Sequence, residues 1–419
     1  MIDAPHSPKR GFQGMGPKSF LGCPWNRGGR EHVSIDEAIR KGGVYMKRMM
    51  ALCMALLLAL GGWAIAEERL MMDDAVCGNA LGLRLLARRY DGHGNQLVSP
   101  VSLAWALSMA ACGAAGDTRD ELLNALNVED GRAVGQWNGP LSESGLKWAN
   151  AAFMREDLEV KQGFLEDLEV CFEAERFPLD DADAVNAWVD ARTEHLIDHL
   201  IDELDPQVRL VLLNAIAMDA QWRHEFNPDN TGEGAFHAPG GDVQAQFMRD
   251  TFTVDYGESA LGQFARLDYL DSDLRMLVML PEGDLSEALA ALAADPGLLP
   301  GLSPTEVVLR LPKLDVSASN ALSGDLQALG IETAFTMDAD LTAISDEPLM
   351  IDEVLQNVRL QVDEAGTRAA ATTAVMIIAK GASMEQPVTM TVDRPYAMFI
   401  VDGRTGAICF AAAICDPTA

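Results

Sequence analysis

The sequence predicts an α+β fold built as one large domain. Helix-period apolar patterns with N-terminal caps crowd its first half and strand patterns its second, and the two never alternate in the βαβ rhythm of a doubly wound sheet. No long Pro/Gly/Ser linker and no internal repeat interrupts residues 67–419.

The elements follow in order. Ser99-Pro100 opens a helix, Ser99 as N-cap and Pro100 in the first turn, and apolar residues run from Val101 through Leu103, Trp105 and Leu107 to Gly113. Thr118-Arg119-Asp120-Glu121 reads as a capping box leading into Leu122, Leu123 and Leu126. An amphipathic helix is expected over 186–201. Strands are expected at 211–217, 275–280, 307–311, 354–362, 396–401 and 407–415, the last two joined by the hairpin-length loop Asp402-Gly403-Arg404-Thr405-Gly406.

Hydrophobic residues make up 48% of the 419 and charged residues 23%, a globular composition with enough apolar mass for a sizeable core. The 32 Lys+Arg against 63 Asp+Glu leave a net −31, which repels phosphate backbones and disfavours nucleic-acid binding. Basic or neutral protein partners fit this charge better.

Residues 46–66 have the layout of a secretory signal peptide: Met46-Lys47-Arg48 is a basic flank, 49–60 an apolar run, and Ala64-Ile65-Ala66 a small-x-small cleavage site. The run is short for a bilayer span, and an uncleaved anchor is the alternative. Arg40-Lys41-Gly42-Gly43 is what a purine-rich ribosome-binding site encodes when read as protein. Met46 is therefore expected as the true start, and 1–45 as an over-extension or else a disordered extension. Secretion of a domain spanning 67–419 follows. Its five cysteines, Cys77, Cys112, Cys171, Cys409 and Cys415, are odd in number and sparse, so they read as small buried apolar residues and not as a disulfide framework. Cys409 and Cys415 on one strand stand roughly 20 Å apart, too far to bridge.

Enzyme chemistry is thin. G-x-S-x-G, P-loop and G-x-G-x-x-G motifs are absent. His195 and His199 at i, i+4 on the expected helix have a zinc-binding spacing but no general-base Glu between them and no evident third ligand. A secreted hydrolase or zinc protein rests on that pair alone; no cofactor, metal or catalytic residue is expected.

The unusual segment begins at Asp363 and continues past Lys380. After Gly366 the first proline is Pro387, so every amide over 366–380 can donate to a sheet ladder. Thr367, Ala369, Ala371, Thr373, Val375, Ile377 and Ala379 form one uncharged face, while Arg368 and Lys380 fall on the other. An ordinary amphipathic strand has this pattern too, but the Ala/Thr run fills a core poorly and suits a tight gap.

These residues resemble the hinge and reactive-centre loop of the serpins, the serine-protease inhibitor family. The resemblance extends over nearly all of 67–419, through Asn95-Gln96-Leu97-Val98-Ser99-Pro100-Val101-Ser102, Leu213-Asn214-Ala215 with Trp222, Phe226-Asn227-Pro228, Leu311-Pro312-Lys313-Leu314, Leu329-Gly330-Ile331, Ala339-Asp340-Leu341, and Phe410 to Pro417. It implies three β-sheets, about nine helices, and an exposed loop over about 364–394 that serves as protease bait. In the family the protease forms an acyl-enzyme with the loop, whose hinge side then inserts as a strand of the main sheet. Carried onto this chain, the hinge is Glu364, Gly366, Thr367, Ala369, Ala371 and Thr373, and the breach and shutter are Ser99, Ser102, Asn214, Trp222 and Gln356. Fourteen residues from Gly366, the family's usual spacing, place the scissile bond at Lys380-Gly381, where Lys suits a trypsin-like pocket; a shorter spacing counted back from Pro395 selects Met384-Glu385.

Four departures stand out: Arg368 for a usual Glu, Gln356 for a usual His, and His195 and Ala412 for usual glycines. The implied function is a secreted, monomeric inhibitor of trypsin-like serine proteases, not itself an enzyme, that traps its target covalently. The alternative is a non-inhibitory binding or storage protein of the same fold, which bulky, charged or proline residues at the inward hinge positions would favour; none occurs.

Overall fold

Pro100–Gly113 lies at the centre, and its composition explains why. Ser99 is extended and its Oγ accepts from Ser102 N at 3.3 Å, with Pro100 in the first turn. Every residue of the helix except Ala106 and Cys112 is buried, as befits a helix apolar on all sides. The computed structural model describes residues 76–193, 195, 197, 199–367 and 386–419, which lie within one compact unit, Ile65–Ala419.

The largest sheet runs Gln96–Val98, Ile408–Ile414, Tyr396–Asp402, Leu274–Pro281, Gly262–Asp268, Gly241–Ser259, Ser303–Pro312, Val388–Thr391, with Gly232–Ala238 also paired to Gly241–Ser259. Both Tyr396–Asp402 and Ile408–Ile414 are buried at every position, the environment that a run apolar on both faces requires. The loop between them closes on the buried carboxylate of Asp402, which accepts from Thr405 N at 2.7 Å and Thr405 Oγ1 at 2.8 Å, while Gly406 takes φ 71°.

Two smaller sheets complete the body. One pairs Glu175–Pro178, Lys147–Met154 and Leu210–Ala217; the other pairs Leu314–Ala321, Leu355–Val362, Gly366–Thr367 and Ala220–Gln221. Eight α-helices accompany the three sheets among the described residues.

Two expectations need correction. The helix after Gly113 starts at Gly116 with Ala115 as its cap, so Thr118 and Glu121 are no capping box. Their side chains serve a different segment: Thr118 Oγ1 accepts from Asp340 N at 2.9 Å, and the Glu121 carboxylate from Glu332 N and Thr333 N at 2.8 and 2.7 Å. The helix expected over 186–201 is Ala182–Arg192, capped by Asp181. Asn186 stops it from continuing, because its carboxamide accepts from Leu200 N and Ile201 N and donates to Ile201 O, folding the chain back. His195 sits in the left-handed region, φ 63°, so a histidine here occupies backbone that favours glycine.

Candidate functional site: a slot between two half-sheets

Leu210–Ala217 pairs along its whole length with Lys147–Met154, and Leu355–Val362 with Leu314–Ala321. Among the described residues no ladder joins Leu210–Ala217 to Leu355–Val362. A cavity of about 580 Å³ lies there instead, reaching Leu210–Ala215 on one wall, 354–357 on the other, and Ser102, Leu103 and Leu107 of the central helix on its floor. From above, Leu200, Ile201 and Leu204 cover it. Asn357 Nδ2 donates to His199 O at 2.5 Å, tying this strap to one wall.

Among the described residues, only the top of the slot is bridged. Gly366–Thr367 lies between the half-sheets, antiparallel to both neighbours: Thr367 faces Val362 on one side and Ala220 on the other, and Gly366 faces Gln221. A Cβ on Gly366 would stand 2.2 Å from Ala220 O, so only glycine fits this close approach.

The turn that leads in is held residue by residue. Asp363 Oδ1 accepts from Ala365 N and Gly366 N, and Asp363 N donates to Gly366 O at 3.0 Å. Trp222 grips the turn twice, its backbone N donating to Ala365 O and its Nε1 to Asp363 O, both at 2.9 Å. The Glu364 carboxylate accepts from Lys313 Nζ at 2.7 Å and Thr231 Oγ1 at 2.8 Å. Burial by itself would raise this carboxyl, but the Lys313 ammonium and the hydrogen bonds outweigh it and hold Glu364 below the usual carboxylate range. Thr367 is buried, its hydroxyl 2.6 Å from that of Tyr269, whose ring stacks on Trp222 at 4.6 Å.

Farther down, Gln356 and Ser99 form a two-way amide pair: Ser99 N donates to Gln356 Oε1 and Gln356 Nε2 to Ser99 O, both at 2.9 Å. Ser99 Oγ also donates to Cys409 O at 2.7 Å, and Ser102 is buried beside it. Glutamine in place of histidine thus satisfies both backbone groups at the start of the central helix. Asn214 on the opposite wall donates to Asn150 Oδ1 at 2.9 Å, while its own buried Oδ1 has no partner among the described residues.

Of the residues singled out in the sequence, Glu364, Gly366, Thr367 and Trp222 come together at the top of the slot, and Ser99, Ser102, Asn214 and Gln356 line or border its middle. Ala369, Ala371, Thr373, Lys380 and Gly381, the alternative bond Met384-Glu385 and the strand read over 368–380 lie outside the described residues. Sequence reasoning missed Lys313 as an ion-pair partner, Thr231 and Tyr269; none has a local signal, because each meets the hinge across 51 to 133 residues of chain.

His195 and His199 are engaged separately. His195 Nδ1 lies 2.8 Å from Asp190, and His199 Nε2 2.7 Å from Asp202. The helix that would have aligned them ends at Arg192. Among the described residues no three His, Cys, Asp or Glu side chains are placed to hold a metal ion. The five described cysteines are free; Cys77, Cys409 and Cys415 are buried, Cys112 and Cys171 half-buried. Burial pushes the Cys77 thiol up to about 12.

The family profile described as "Serpin (serine protease inhibitor)" matches residues 78–417. The chain belongs to the serpin family. Iripin-2 of Ixodes ricinus is 32% identical over 393 residues, covering 87% of this chain and 97% of that one. An uncharacterised serpin-like protein of Methanosarcina acetivorans is 30% identical over 373 residues, covering 81% and 86%. Among solved structures, the thermophilic serpin tengpin in its native state superposes with a TM-score of 0.72 at 26% identity, covering 82% of this serpin and 95% of tengpin. Thyroxine-binding globulin in complex with thyroxine gives the same TM-score at 24% identity, a likeness of fold. Serpins are in general protease inhibitors and not enzymes.

Proposed function

We propose that this serpin is a secreted inhibitor of trypsin-like serine proteases that traps its target as an acyl-enzyme. The observation that carries the reading is the seated start of the hinge above an open slot. Gly366 and Thr367 occupy the top of a missing strand, and below them the slot-facing edges of the two walls have no partner strand among the described residues. Continuing both registers one for one brings residue 373 opposite Asn214 on one wall and Gln356 on the other, so a threonine would arrive beside the unpaired Asn214 Oδ1. Each added ladder bond is worth ~0.5–1.5 kcal/mol net; a dozen such bonds rival the roughly 5–15 kcal/mol that stabilises a typical domain.

The chemistry balances simply. The protease's serine Oγ attacks the Lys380 carbonyl carbon, the bond to the Gly381 nitrogen breaks, and the serine proton passes through the protease's base to the new Gly381 amine. An ester remains between protease and Lys380. Water would hydrolyse it; strand insertion, if faster, carries the ester-linked protease away from its working geometry. The signal-like segment 46–66 supports secretion, and the lysine at 380 supports a target with an acidic specificity pocket.

Incubation with trypsin followed by denaturing electrophoresis tests this. An adduct that survives denaturation is expected, with a released fragment beginning at Gly381, and Lys380→Ala should abolish most of it without altering the fold. Cleavage without adduct refutes trapping. A primary cut after Met384 refutes the bond assignment.

A further inference from the structure

We infer that Tyr269 is a positioning residue that fixes the register in which the hinge enters the slot. It deepens the proposed inhibitory function and rests on that reading for its consequence, though not for its geometry. A strand added to a sheet can enter in two parities, and a slip of one residue turns every side chain to the opposite face. For this hinge the parities are unequal: one turns Thr367, Ala369, Ala371 and Thr373 inward, and the other turns Arg368 inward. Something must choose before insertion proceeds, because among the described residues the seated ladder spans just Gly366–Thr367. Such a short ladder sets parity weakly through its backbone alone.

Tyr269 supplies the choice. Its ring is held by stacking on Trp222, with an interplanar angle of 16°, and by a β-bridge between the two residues. Its hydroxyl is fully buried and meets Thr367 Oγ1 at 2.6 Å. Burial pushes the phenol well above its ordinary range, so it stays neutral and able to share a proton. Among the described residues neither hydroxyl makes another hydrogen bond. Thr367 satisfies the tyrosine, and is satisfied by it, only when residue 367 faces inward. In the opposite parity both hydroxyls would be buried or withdrawn without this partner, and an unmade buried hydrogen bond is costly. The pair therefore works as a parity check at the first inserted position.

The test uses the full, uncleaved chain and four variants: Tyr269→Phe, Thr367→Val, Thr367→Ser, and Tyr269→Phe combined with Thr367→Val. Hydrogen exchange at 220–226 and 363–367 reads how firmly the hinge is seated. Tyr269→Phe and Thr367→Val should each speed exchange there about five- to tenfold, the factor one net hydrogen bond represents. The double variant should be no faster than either single, and Thr367→Ser, which keeps the hydroxyl, should match wild type. With trypsin, the ratio of nicked protein to adduct should rise by a similar factor in the two valine or phenylalanine variants and not in the serine one. Additive effects in the double variant would mean Tyr269 acts only through packing, and unchanged exchange in Tyr269→Phe would refute the latch outright. Should Tyr269→Phe fail to fold, Thr367→Val removes the same bond from the other side and decides with Thr367→Ser as its rescue. If the wild-type chain forms no adduct, the inhibitory reading falls, while the exchange cycle still judges the latch.

Discussion

Replacing Gly366 with alanine should drive the hinge out of its seat. The new Cβ would stand 2.2 Å from Ala220 O, 2.8 Å from Gln221 Cα and 3.0 Å from Ala220 C, all backbone atoms of the neighbouring strand that cannot swing aside. Besides the Glu364 carboxylate contacts, four hydrogen bonds that join the hinge to the body oppose expulsion: Trp222 N to Ala365 O, Trp222 Nε1 to Asp363 O, Phe226 N to Glu364 O, and the Thr367–Tyr269 pair. At ~0.5–1.5 kcal/mol net apiece they hold the hinge with about 4 kcal/mol. An overlap of that depth with fixed atoms exceeds this sum, so the strands part and the bonds pass to water. The loss of unfolding free energy should be about 2–4 kcal/mol, lowering the melting temperature of the intact protein by about 5 °C. Amides of 220–226 should exchange faster, and insertion, starting from an empty seat, should lose more often to deacylation. Thermal unfolding followed by circular dichroism, exchange mass spectrometry and the nicked-to-adduct ratio with trypsin check each step. If Gly366→Ala melts with wild type and leaves those amides protected, the close approach at Ala220 is not what the hinge depends on.

Ala371→Arg should turn the inhibitor into a substrate, since its parity carries a guanidinium inward at a cost of several kcal/mol, whereas Ala370→Arg, facing outward, should trap trypsin nearly as wild type; equal trapping by both would refute the parity on a denaturing gel. Glu364 has a folded-state pKa below its unfolded value, so its contribution to hinge stability is present above the ordinary carboxylate range and disappears as pH falls through the folded value. Hinge amides should accordingly lose protection in acid, and Glu364→Gln should remove that step from the exchange profile; an acid step that persists in the glutamine variant would assign it elsewhere. His195→Gly should stabilise the protein by about 0.5–1 kcal/mol in urea unfolding, because glycine relieves a φ of 63° and the exposed pair to Asp190 returns little; a loss of stability would show that the pair outweighs the backbone.

What the sequence disclosed and what it hid follow one physical line. Ser99 was legible as an N-cap because its bond to Ser102 N spans three residues, and the closing strands were legible because burial on both faces demands unbroken apolar runs. The edges of the slot showed as the strands at 211–217, through an apolar run, and 354–362, through the alternation that one buried face imposes. Thr118 and Glu121 misled because the same groups that cap a helix locally can satisfy donors far along the chain, here at Asp340, Glu332 and Thr333. The helix read through 201 failed at Asn186, whose carboxamide prefers the returning backbone of Leu200 and Ile201 over an exposed helix face. Gly241–Ser259, a 19-residue strand, was missed outright, since its exposed and half-buried positions dilute the apolar alternation. At the hinge, residue types announced Gly366 and Thr367, while Lys313, Thr231 and Tyr269 acquire their roles only when the chain has folded.

The position of Ile408–Ile414 dictates when this molecule can be finished. That strand lies inside the largest sheet, between Gln96–Val98 and Tyr396–Asp402, and pairs residue 96 with residue 413. It follows every other described strand in chain order. Until residues 408–414 are in place, Gln96–Val98 has no strand to join among the described residues, Ser99 Oγ has no Cys409 carbonyl to meet, and the floor of the slot is without its support. Such a contact, closing more than three hundred residues, is slow to form. The slot is therefore shaped only once this long-range ladder has closed, in one late step of folding.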